Sequence, residues 1–67
     1  KKIDNIGNAI KEKRLILKIS QKRLAKEVGK SPQLICDIEA GRKKPSVNTL
    51  FCIAKVLNLS LDKFFLQ

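Results

Sequence analysis

Apolar residues recur every three or four positions along most of this chain, and small polar residues, glycines and prolines interrupt them where helices would begin and end. A first helix is predicted from about Asp4 to Leu17, with Ile6, Ile10 and Leu17 on one face, Arg14 among them, and Leu15 and Ile16 carrying apolar surface beyond that stripe. In "SQKRLAKEVG", residues 20 to 29, Ser20 is the N-cap, Leu24, Ala25 and Val28 repeat at helical spacing, and Gly29 stops the helix. "KSPQLICDIEAG" follows the same plan: Ser31 caps, Pro32 takes the first helical position, where its missing N–H costs nothing, Ile35 and Ile38 point inward, and Gly41 ends the segment. After "RKKP", Ser46 caps a fourth helix with Leu50, Ile53, Ala54 and Leu57 on one stripe. Ser60 caps a short fifth, "SLDKFF", with Asp62 in its first turn and Leu61, Phe64 and Phe65 available to close the core. Strand alternation is absent and the connections run to only a few residues, so the expectation is a compact all-α domain of five helices spanning residues 1–67.

Charge changes that picture from a generic bundle to one with a partner. Fifteen Lys and Arg against six Asp and Glu leave a net charge of +9 on 67 residues, which points to an anionic partner. The distribution is uneven: eight basic residues lie between Lys11 and Lys30 and three more run from Arg42 to Lys44, whereas residues 45 to 67 hold only Lys55 and Lys63. Lys22 and Arg23 also crowd the first turn of the second helix, the positive end of its dipole, where an acid would stabilise the fold. A negative partner makes sense of that placement, because the free N–H groups of a helix N-terminus already form an anion site.

The same residues narrow the chemistry by exclusion. Cys36 and Cys52 are the only cysteines and there is no His, so the usual four-ligand zinc site cannot be built and neither a metal nor a cofactor is expected. Reduced thiols and a cytoplasmic location are the matching expectation. No run of about 18 apolar residues suggests a membrane span, and the basic helix needs its apolar face for the core, which disfavours membrane binding. Without His, Tyr, a glycine-rich phosphate loop or a catalytically spaced pair of acids, no enzyme is expected.

Two short helices joined by Gly29, Lys30 and Ser31 describe a helix-turn-helix over about residues 20–41, whose second helix would enter the DNA major groove. With Ile35 and Ile38 inward, the opposite arc offers Pro32, Gln33, Cys36 and Asp37, with Leu34 at its margin, as candidate base readers. Gln33 suits adenine N6 and N7, Pro32 or Leu34 a thymine methyl, and Asp37 either cytosine N4 or a role in exclusion. Arg42, Lys43 and Lys44 form a candidate phosphate grip just after that helix, joined by Lys30 in the turn and by Lys22 and Arg23.

Over residues 6 to 65 the chain resembles the Cro and phage-repressor-like, or XRE-like, helix-turn-helix family. The resemblance is carried by "IGNAI" and Arg14, "SQ..LA..VG", "S...I..IE.G", the proline and "TL..IAK.L", and "LSLDKFF", in that order and spacing. It implies a lambda-repressor-like fold, a DNA-backbone contact from Gln21, and a partly buried structural ion pair between Arg14 and Glu39. It also implies a transcriptional regulator, as a repressor or autoregulatory controller that binds a palindromic operator as a homodimer. Val47, Phe51, Val56 and Leu66 are the candidate interface, with core packing the competing role for each. The alternative is a DNA-binding antitoxin or protein-interaction module of the same fold, with a toxin-like partner; Leu15, Ile16 and Phe51 are its only hint. Four positions depart from the family pattern: Lys18 where Gly is common, Lys13 where an apolar residue is frequent, Cys36 where Ser is expected, and Asp37 where a polar or basic residue is usual.

Overall fold

The computed structural model describes residues 6–59, which hold four α-helices and no strand: α1 (Ile6–Ile16), α2 (Gln21–Val28), α3 (Pro32–Ala40) and α4 (Val47–Leu57). Three serines start three of them. The hydroxyls of Ser20, Ser31 and Ser46 accept hydrogen bonds from the backbone N–H groups of Arg23, Leu34 and Thr49 at 2.9, 3.2 and 3.2 Å, each three residues on. The fifth predicted helix, with Leu61, Phe64 and Phe65, lies outside the described residues.

All four helices stop in one way, at a residue in the left-handed conformation. Gly29 (φ 73°) and Gly41 (φ 82°) take it without a Cβ penalty, and Asn58 (φ 55°) is the residue type that tolerates it next best. Lys18 (φ 59°) closes α1 in the same geometry: its N–H reaches the Leu15 carbonyl and the Ile19 N–H reaches the Arg14 carbonyl, both at 3.0 Å. Lys18 thus holds an ordinary side chain in a conformation that favours glycine.

That turn corrects the sequence reading of α1. Leu17, expected on the inward face, follows the last helical residue and is 42% exposed. Ile19, folded back by the turn, is the residue that packs against the core in its place. The core itself joins Ile6 and Ile10 of α1, Leu24 and Ala25 of α2, Ile35 and Ile38 of α3, and Leu50, Ile53 and Leu57 of α4. α3 packs on both α1 and α2, and α4 packs on the same pair. Lys13 is half-buried, as a long stem covering apolar surface would be.

Gly7 marks the closest approach between elements. A Cβ built there would lie 2.2 Å from the Ile38 carbonyl oxygen and 3.0 Å from that of Glu39. α1 thus rests directly on the backbone at the end of α3, which brings Arg14, two turns further along α1, beside the α3 residue Glu39.

Candidate nucleic-acid interface

Arg14 and Glu39 form a bidentate pair where α1 meets α3. Arg14 Nε donates to Glu39 Oε2 at 2.7 Å and Nη2 to Oε1 at 3.1 Å, while Nη1 donates to the Ile19 carbonyl at 2.8 Å. Their side chains are only 9% and 3% exposed. Gln21 completes the group by donating Nε2 to Glu39 Oε1 at 2.9 Å. Gln21 is half-buried, so the side chain expected on the DNA backbone is tied into the protein through one amide hydrogen. The network joins the start of α2 and the turn after α1 to the end of α3, setting the two helices of the helix-turn-helix relative to α1.

At the N-terminus of α2, Lys22 and Arg23 are both exposed. Arg23 Nε contacts Glu27 Oε2 at 3.2 Å, one turn along the same helix, with both side chains well exposed. Such a pair contributes little and leaves the guanidinium accessible. Lys30 in the turn and Lys43 and Lys44 in the loop after α3 are exposed as well.

On α3, Pro32 and Gln33 are exposed while Leu34 and Cys36 are half-buried, Leu34 packing on the core. Asp37 is the correction. Expected on the exposed arc, it is 7% exposed, and its Oδ1 accepts from Arg42 Nε at 2.8 Å and from Gln33 Nε2 at 3.0 Å. Lys43 Nζ lies 3.9 Å from Oδ2. The Arg42 hydrogen bond holds the Asp37 carboxyl below its ordinary value of 3.8, overcoming burial, which pushes it up, with help from Gln33; Arg42 is correspondingly raised, chiefly by Asp37. Two donors inside the protein thus share Oδ1, and the carboxylate sits buried instead of on the exposed arc.

The physical reason lies in the end of α3. Gly41 turns the chain so that the Arg42 and Lys43 N–H groups return to the Asp37 carbonyl at 2.8 and 3.2 Å, which lays the Arg42 side chain back along the helix. Arg42 Nη2 then also meets Cys36 Sγ at 3.4 Å. Gln33, Cys36, Asp37, Arg42 and Lys43 thereby become one cluster that the sequence presented as two, a reading helix and a basic loop. The available signal was the spacing of Gln33 and Asp37, one helical turn apart.

Of the expected interface residues, Val47 (58%) and Phe51 (54%) are exposed, Val56 packs partly buried against the core, and Leu66 lies outside the described residues. Leu15 (55%) and Ile16 (71%) are also exposed. No helix of the described residues is long and apolar enough to cross a membrane.

A turn-linked pair of capped helices, the second presenting an exposed N-terminal face beside a basic loop, defines the helix-turn-helix class. Residues 10–64 match the family model described as helix-turn-helix, and the chain belongs to this XRE-type family of DNA-binding regulators. It is similar to a transcriptional regulator in the ATPase CF(0) region of Rhodospirillum rubrum, 36% identical over 61 residues that cover 91% of this chain and 56% of that one. A 10 kDa protein of the ImmF control region of Bacillus phage phi105 is 42% identical over 57 residues, covering 85% and 63%. Multiprotein-bridging factor 1 of Debaryomyces hansenii is 39% identical over 62 residues, covering 91% and 41%. The chain thus spans about half the length of these relatives. No solved structure shows a significant match.

Proposed function

We propose that this chain is a sequence-specific double-stranded-DNA-binding transcriptional regulator, a repressor or autoregulatory controller that meets a palindromic operator as a homodimer. The observation that carries this reading is the exposure of Pro32 and Gln33 at the N-terminus of α3, flanked by exposed cations on α2, in the turn and in the loop that follows. α3 lies in the major groove, with Gln33 on adenine N6 and N7, Pro32 and the outer edge of Leu34 on a thymine methyl, and Cys36 as a small filler near the DNA. Lys22, Arg23, Lys30, Lys43 and Lys44 bind phosphates; Arg42 and Gln21 do so with the donor atoms their internal partners leave over. Asp37 leaves the set of base readers. Val47 and Phe51 are the surface proposed for the second copy, since one recognition helix reads only a few base pairs.

Selection of duplexes from a randomised pool, followed by anisotropy titration of the winner and a scrambled duplex across salt concentrations, tests this. The expected result is an inverted repeat bound about 1,000-fold or more tighter than scrambled DNA, with a salt slope that Lys22→Ala makes shallower by about 1. Equal affinities for both duplexes overturn it.

A second reading, a protein-interaction module of the same fold, is favoured by one observation: Leu15, Ile16 and Phe51 keep more than half of their surface exposed. A relative named for multiprotein bridging is consistent with it. Under that reading Leu15→Ser and Ile16→Ser abolish capture of a protein partner and leave DNA affinity unchanged.

A further inference from the structure

Gln33 has two ways to present its amide, and the neighbouring carboxylate permits only one. Asp37 Oδ1, buried one turn along α3, receives Gln33 Nε2 at 3.0 Å. A carboxylate only accepts, so the amide nitrogen must face it; the flipped amide would set carbonyl oxygen against carboxylate. Arg42 holds the carboxylate in place, bonding Asp37 Oδ1 through Nε at 2.8 Å and Cys36 Sγ through Nη2 at 3.4 Å.

One N–H of Gln33 is therefore taken. A planar amide carries its carbonyl oxygen and its other N–H along one edge, and these remain as an acceptor and a donor in fixed order. Adenine offers the complement, an N6 donor beside an N7 acceptor. Guanine offers two acceptors, O6 and N7, and would need both amide hydrogens at once.

We propose that Asp37 is a specificity-determining positioning residue: by holding one Gln33 N–H it locks the amide in a single flip, so that α3 selects adenine and rejects guanine at one position of each half-site. The inference rests on the DNA-binding reading above and deepens it. Arg42 is the latch, and Asp37 acts on the base only through Gln33.

The test is a base-substitution series in the selected duplex, read by anisotropy for wild type, Gln33→Ala, Asp37→Ala and the double variant, with thermal melts alongside. In wild type, one position per half-site prefers adenine over guanine by about 5- to 150-fold, the range a good bidentate pair supplies. Gln33→Ala identifies that position by losing the preference there. Asp37→Ala, which removes the acceptor, reduces the adenine-to-guanine ratio to within about 3-fold at that position alone, and adds nothing in the Gln33→Ala background, as coupled residues require. If Asp37→Ala does not stay folded, Asp37→Glu, which keeps the charge but displaces the acceptor by a methylene, gives the same readout. A folded Asp37 variant that keeps the full preference, or that weakens every duplex equally, overturns the proposal while DNA recognition stands. A wild-type protein that does not distinguish the winner from scrambled DNA removes the DNA reading itself, and the inference with it.

Discussion

Replacing Glu39 with alanine removes the acceptor around which three helices are set. In the native protein its carboxylate receives Arg14 Nε, Arg14 Nη2 and Gln21 Nε2 within 3.1 Å, at 3% side-chain exposure. After Glu39→Ala, Arg14 keeps only its bond to the Ile19 carbonyl, and its charge stays in a site where the side chain is 9% exposed. Breaking one side of such a pair costs about 3–5 kcal/mol, because an uncompensated charge remains buried. That is comparable with everything a single core of this size provides, about 3–5 kcal/mol. At about 4–8 °C per kcal/mol for a domain this small, Tm falls by about 12–40 °C. Circular dichroism melts at 222 nm measure it directly, and urea titration at low temperature covers the case in which the variant is already unfolded at 25 °C. High salt should not reproduce the loss, since a buried pair is screened little. The partner variant Arg14→Leu/Glu39→Leu should recover part of the stability, because apolar residues of similar volume carry no desolvation cost. A Glu39→Ala protein that melts within about 3 °C of wild type refutes the argument, since under the same conversion it would mean a loss below about 1 kcal/mol.

Three further outcomes follow from the geometry. Gly7→Ala places a Cβ 2.2 Å from a backbone oxygen that cannot rotate away, so α1 must lift off α3 at a cost of about 1–3 kcal/mol; an unchanged Tm would contradict that close approach. Lys18→Gly removes a left-handed lysine and should stabilise by about 0.5–1 kcal/mol after the extra chain entropy of glycine; a lower Tm would show that the lysine stem contributes more than the strain. The folded-state value of Asp37 is depressed below 3.8, so its contribution is fully present above that value and lost as pH falls through the lower folded one. The gap in Tm between wild type and Asp37→Asn should therefore be widest near neutral pH and close in acid once the pH lies below the lowered folded-state value, and a gap that persists there would mean the carboxylate's charge is not its source.

Local features of the fold were legible residue by residue. Ser20, Ser31 and Ser46 begin helices because a hydroxyl reaches the N–H three residues on, an interaction the chain carries with it wherever the segment packs. Gly29 and Gly41 end them because the left-handed conformation costs those residues nothing. The inward positions Leu24, Ile35, Ile38, Leu50, Ile53 and Leu57 followed from period alone and are all buried. Leu17 did not, because its place on the stripe assumed a helix that continues, whereas Lys18 takes the left-handed turn and hands the core position to Ile19.

The candidate site divides along the same line. Arg14 and Glu39 stand on apolar faces and were expected as a pair through the resemblance, and their bond is present with its geometry. Gln21, through the resemblance, and Asp37, by helical position, were assigned outward roles, yet both side chains turn to partners inside the protein. Helical position tells which way a Cβ leaves the backbone; it does not tell what waits across the gap.

Helix starts and stops, the core stripe and the excess of basic charge all depend on contacts within about four residues or on composition, and these the chain carries in its order. The crossing of α1 over α3 at Gly7 and the closure of Arg14 and Gln21 onto Glu39 depend on where separate segments meet in space. Tertiary packing decided them, because a polar side chain near a buried edge takes the partner that satisfies it, and residues distant in sequence supply much of that choice.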